Sequence, residues 1–110
     1  MITVSTTATN SPQRIQVSGD LDLPRGDELE LRVRPMLEPG AQVAIDLRDV
    51  EFADSSGLGA LLVLNQMAEE IGASLVLLDP SPSLLSVLDL TGTTELFTIA
   101  GGARHLPLTG

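Results

Sequence analysis

Ile2 and Val4, and then Ile15 and Val17, alternate with polar residues on either side of Thr7–Gln13, a stretch rich in Thr, Asn, Ser and Pro that reads as a turn. This pattern predicts a β-hairpin. Between Pro24 and Leu37 the period changes. Leu29, Val33, Met36 and Leu37 recur at helical spacing, Pro24 suits a first turn, and Asp27 and Glu28 are favourable near the N-terminal end of the helix dipole. Pro35 falls inside that pattern, where it removes a hydrogen bond and crowds the carbonyl of Leu31. The last turn should therefore kink or end early, and Pro39-Gly40 stops it. Val43, Ile45 and Leu47 form a short apolar run bounded by turn residues, which predicts a third strand. From Ser56 to Ile71 the residues Leu58, Leu61, Leu62, Ala68 and Ile71 return to helical spacing, with Gly72 as a C-terminal stop. Ser74–Leu78 is continuous and apolar beyond its first residue, as expected of a strand covered on both faces. Val43–Leu78 thus reads as a βαβ unit with a right-handed crossover. Ser81-Pro82 is an N-cap followed by an N1 proline, Leu84, Leu85 and Leu88 give one helical face, and Gly92 closes it. A last strand is expected over Phe97–Ala100.

The order ββαβαβαβ predicts a single α/β domain over residues 1–100, a mixed sheet of four or five strands with helices packed on it, and an irregular tail over 101–110. Val43, Ile45, Leu47, Leu75 and Leu77 should form the sheet core, with Leu58, Leu61 and Leu62 packed upon it. A chain of 110 residues holds one such domain, and at 43% hydrophobic and 19% charged residues it can bury a core. A monomer is expected. The core must be aliphatic, because Phe52 and Phe97 are the only aromatics. Fifteen acids against six arginines and no lysine give a net charge of −9, which repels phosphate backbones and anionic membranes. No nucleic-acid partner and no membrane association are expected. Met1–Asn10 lacks the basic start and apolar run of a signal peptide, so a cytoplasmic location is the expectation.

Charge and composition leave one unusual stretch. Asp46-Leu47-Arg48-Asp49-Val50-Glu51-Phe52-Ala53-Asp54-Ser55-Ser56-Gly57-Leu58-Gly59 carries the chain from the third strand through a loop into the second helix. It sets a carboxylate and two hydroxyls at the carboxyl end of a strand, where ligand and partner sites of open α/β sheets gather. Asp54 or Ser55 can cap the helix while Gly57 and Gly59 permit close packing, and a hydroxyl at this point is exposed beside first-turn amides able to accommodate a phosphate. Asp22, just before the first helix, reads as a second capping carboxylate. Enzymatic readings are weak: there is no Gly-x-Ser-x-Gly elbow, and the single histidine, His105, lies in the irregular tail. The absence of lysine removes Walker-type phosphate loops, and the absence of cysteine removes thiolate chemistry and Cys-ligated metals. The acids show no EF-hand spacing, so no metal and no cofactor are assigned. Asn65, which interrupts the apolar face of the second helix, needs no role beyond a hydrogen bond.

Gly19-Asp20-Leu21-Asp22, Val43–Asp49, Phe52 with Asp54-Ser55-Ser56-Gly57-Leu58-Gly59, and Pro80–Thr94 with Leu88-Asp89-Leu90-Thr91-Gly92 together resemble the STAS domains, and among them the bacterial anti-sigma-factor antagonists. The resemblance runs from the first hairpin to the last strand. It implies a protein that is not an enzyme, whose unphosphorylated form binds an anti-sigma factor serine/threonine kinase and frees the sigma factor. In that family the first serine after the aspartate is the phosphoacceptor, which carries over to Ser55, and a PP2C-type phosphatase acts on the phosphoserine. Asp22, Asp54, Ser56, Gly57 and Leu58 are then candidate partner-binding residues. Leu58 contributes an apolar contact if it turns outward, although its helical phase fits the core equally well. The family's amphipathic C-terminal helix has no counterpart in the Gly/Pro-broken tail, and the Pro35 break is also atypical. The resemblance leaves a second reading open, a STAS adaptor subunit of a transport complex that works without phosphorylation.

Overall fold

The computed structural model describes residues 1–5 and 13–101. The expected turn before residue 13, His105 and the tail from residue 102 lie outside the described residues. Five strands and three helices follow the predicted order: β1 (Ile2–Ser5), β2 (Gln13–Leu21), α1 (Leu23–Val33), β3 (Gln42–Ala53), α2 (Ser55–Ile71), β4 (Ser74–Leu78), α3 (Pro82–Thr91) and β5 (Thr98–Ala100). The strands form one mixed sheet in sequence order, with β1 antiparallel to β2 and every other neighbour pair parallel. The hairpin pairs Ile2 with Val17 and Val4 with Ile15, so both alternating runs share a register.

The core sits on one face of this sheet because the buried aliphatics of three strands stand side by side. Ile15 pairs with Ile45 and Ile45 with Leu77, while Val43 pairs with Leu75, and all five are buried. Leu29 and Val33 of α1, Leu58, Leu61 and Leu64 of α2, and Leu84 and Leu88 of α3 close the same cluster. Leu62 packs against it half-buried, and Ile71, expected on the inner face of α2, is 38% exposed at the helix end.

Helix ends follow the local chemistry. Pro35 ends α1 at Val33 and turns Arg34–Met36 into a single 3-10 turn, because it cannot donate to the helical ladder. The helix starts one residue earlier than its proline suggests, at Leu23, which leaves Asp27 and Glu28 beyond the first turn. Ser81 caps α3 through its side-chain oxygen, which accepts from the Leu84 amide at 3.2 Å, with Pro82 as the first helical residue. Gly72 and Gly92 close α2 and α3 in the left-handed conformation.

Three sequence expectations need correction. β3 does not stop at Leu47 but runs to Ala53, because Asp46–Ala53 pairs with Gln16–Leu21 across two register irregularities. Of the loop expected between Leu47 and Ser56, only Asp54 lies outside β3 and α2. β4 is not covered on both faces: Leu75 and Leu77 are buried, Ser74 is exposed, and Val76 and Leu78 are half-buried. Residues of α1, α2 and α3 close the cluster that holds Leu75 and Leu77, and Val76 and Leu78 alternate to the other face. Finally, Phe97 lies before β5, buried at the end of a 3-10 turn over Thr94–Leu96.

Candidate functional site

Leu21 and Ala53 are paired at the carboxyl ends of β2 and β3, and each is followed by one aspartate that starts a helix. Asp22 holds an extended backbone and accepts from the Arg25 amide at 3.2 Å, while its own carbonyl accepts from the Gly26 amide at 2.8 Å. Asp54 repeats the arrangement: Oδ1 accepts from the Gly57 amide at 3.0 Å and its carbonyl accepts from the Leu58 amide at 3.0 Å. The Asp54 amide donates to the Leu21 carbonyl at 3.3 Å, which ties the second cap to the end of the neighbouring strand. Two N-cap carboxylates therefore stand at adjacent strand ends.

This approach depends on glycine. A Cβ on Gly57 would lie 2.0 Å from the Leu21 carbonyl oxygen and 2.6 Å from its carbon, so no side chain fits between α2 and the end of β2. On the α1 side, a Cβ on Gly26 would lie 3.0 Å from the Ala60 Cβ and 3.6 Å from the Ser56 carbonyl oxygen, so the first turns of the two helices lie against each other. Gly59, the other glycine of the stretch, has open space at its Cβ position and serves no packing role of this kind.

Ser55 and Ser56 are the first two residues of α2, and both are exposed. With Gly57 and Leu58 engaged by Asp54, helix geometry leaves the Ser55 and Ser56 amides without an intrahelical acceptor. The result is an exposed hydroxyl beside two amide donors at the positive end of a 17-residue helix. Such an arrangement can present a serine for modification and can offset part of the charge of a phosphate. No histidine lies among the described residues to serve as a base, and no group of three metal-ligating side chains forms among them.

Of the residues singled out in the sequence, Asp22, Asp54, Ser55 and Ser56 are brought together at the surface of one sheet end. Gly57 is buried and acts through its backbone. Leu58 is 3% exposed and belongs to the core, so the outward orientation that would make it an apolar contact is not the one it adopts. The sequence reading overlooked two large apolar side chains at the same end. Leu23, the first residue of α1, is 57% exposed, and Phe52, two residues before Asp54, is 53% exposed. Phe52 pairs with Asp20 one step before the Leu21–Ala53 pair. Both lie where the helical or alternating pattern gives no core assignment, which is the signal that was available. Asn65 donates to the Leu96 carbonyl at 2.9 Å, which accounts for its place in α2.

A second polar cluster occupies the sheet face away from the aliphatic core. Asp46 is 2% exposed, with Arg14 of β2 donating to Oδ2 and the Arg48 side chain and amide donating to Oδ1. Arg48 also donates to Asp79 at 2.8 Å. Burial opposes ionisation of Asp46, but the hydrogen bonds and charges of the two arginines outweigh it and hold the carboxyl below the usual aspartate range. The same pairing raises Arg48, chiefly through the Asp46 charge.

Residues 4–99 match the family model described as Mlab, STAS domain. The anti-sigma-B factor antagonist of Bacillus subtilis is 31% identical over 87 residues, covering 79% of this chain and 80% of that protein. The anti-sigma-B factor antagonist of Staphylococcus aureus strain NCTC 8325 is 29% identical over 108 residues, covering 94% and 96%. Among solved structures, the anti-sigma factor antagonist SpoIIAA in its unphosphorylated form superposes with a TM-score of 0.68 at 20% identity, covering 96% of this chain and 92% of that one, a likeness of fold.

Proposed function

The chain belongs to the STAS domain family, and from that membership we propose that it is an anti-sigma factor antagonist whose unphosphorylated form binds an anti-sigma factor serine kinase and so frees the sigma factor. Phosphorylation of Ser55 by that kinase ends the binding, and a PP2C-type phosphatase restores it. The observation that supports this reading is the exposed Ser55 hydroxyl at the first position of α2, directly after the Asp54 cap. The protein is then a binding partner and a kinase substrate, with no catalytic residue of its own.

The switch needs only local physics. Phosphate adds about −1.5 to −2 charges and three acceptor oxygens. In the free protein the Ser55 and Ser56 amides and the helix dipole offset part of that charge, so the fold persists. At a closely packed partner surface the phosphate must be desolvated and fitted. Burying an ion without a full set of partners costs several kcal/mol, and about 4 kcal/mol is close to a thousandfold in affinity. Calorimetric titration of the cognate anti-sigma factor tests this. Ser55→Ala should bind it as the unmodified protein does, and Ser55→Glu should bind it at least a hundredfold more weakly. Equal affinities would overturn the switch and favour an adaptor that works without phosphorylation.

A further inference from the structure

We propose that Phe52 and Leu23 are the apolar anchors of the partner-binding surface around Ser55, and that the surface they dock against is an apolar pocket rimmed with arginine or lysine. This rests on the reading of Ser55 given above and identifies the kind of surface that reads it. Exposed hydrophobic residues scattered singly carry no such meaning. Here the two stand at the same end of the sheet. Leu23 directly follows the Asp22 cap and Phe52 precedes the Asp54 cap by two residues, at the carboxyl ends of paired strands. With exposures of 57% and 53%, each has more than half its surface available for burial by a partner. Phe97, the other aromatic, is 8% exposed and belongs to the core, so Phe52 is the one aromatic side chain placed outside it. Aromatic side chains, phenylalanine among them, are enriched in protein interfaces, whose apolar centre is ringed by a polar rim.

The charge around them indicates the partner's chemistry. Asp20, Asp22, Glu51 and Asp54 surround the two apolar side chains in sequence and register, and all four are exposed or half-buried. Arg25, the cation in the same turn as Leu23, is half-buried, donates to the Ser18 carbonyl at 3.1 Å and lies 4.0 Å from Glu28. The rim is therefore anionic and complements a basic partner surface. A phosphate on Ser55 would enter a place already matched in charge for two carboxylates, which links the anchors to the switch.

The test uses the full chain and the purified anti-sigma factor of its own cell, with Phe52→Ala, Leu23→Ala, Ser55→Glu and, as a distant control, Leu90→Ala, whose side chain is 87% exposed. Circular dichroism and a thermal melt establish that each variant folds, and Phe52→Tyr keeps the ring should the alanine variant fail. The expected result is a loss of tenfold or more for Phe52→Ala, several-fold for Leu23→Ala, none for Leu90→Ala, near-native binding for Phe52→Tyr, and affinity that falls with rising salt. Native affinity for Phe52→Ala and Leu23→Ala together with weakened Ser55→Glu would overturn the anchors and leave the Ser55 reading standing. Native affinity for Ser55→Glu as well, or no binding by the unmodified protein, would overturn both.

Discussion

Gly57 and Gly59 stand two residues apart in α2, and the structure gives them opposite predictions. Alanine at 57 would drive a Cβ into the Leu21 carbonyl, a backbone group that cannot move aside cheaply, and should cost about 2 kcal/mol or more in urea unfolding. Alanine at 59 meets open space in a helix and should be neutral or stabilise by up to about 1 kcal/mol. The sequence shows the two glycines as equivalent, because the carbonyl that distinguishes them arrives from another strand. Asp54 was legible as a cap, since capping is local chemistry. Asp54→Ala should lose about 1 kcal/mol, while Asp54→Asn should retain most of it, as read by the same denaturation. The orientation of Leu58 was not legible, because its phase in α2 satisfied an inward and an outward reading alike, and only the packed sheet decides between them.

At the scale of elements, the hairpin, the helices and the parallel pairing of β3 with β4 could be read from periodicity, and the length of β3 could not. Asp46, Arg48, Asp49 and Glu51 break the apolar alternation that marks a strand, yet β3 continues through them because β2 runs alongside it. Arg14 answers Asp46 and the Gln16 side chain answers Asp49 at 2.8 Å, and neither partner can be known before the strands are placed. Asp46 couples β2, β3 and, through Arg48, the end of β4. Its carboxyl is held below the ordinary range, so its contribution to stability is present above about pH 4, the unfolded aspartate value, and is lost as pH falls through the lower folded value. Denaturation of the native protein and Asp46→Asn at stepped pH should show the widest gap above about pH 5, narrowing below pH 4. A constant gap would mean that the arginine pairing contributes nothing through charge. In α2, Leu61 is fully buried against the sheet, and Leu61→Ala should cost about 2–5 kcal/mol. A loss below about 1 kcal/mol in chemical denaturation would contradict the packing of that helix.

Across the whole molecule, an aliphatic core on one sheet face and polar pairs on the other leave one sheet end where two caps, two exposed serines and two exposed apolar side chains converge. No described helix is long and apolar enough to cross a membrane. The net charge of −9 makes a basic partner surface the natural complement, and association should slow as ionic strength screens it. On the proposed switch, Ser55 and not its neighbour should carry the phosphate. Incubating the purified chain with its cognate anti-sigma kinase and ATP, followed by peptide mass spectrometry, tests it directly. A single phosphate is expected on Ser55, retained in Ser56→Ala and absent from Ser55→Ala. Phosphate on Ser56 alone, or on no residue, would contradict it.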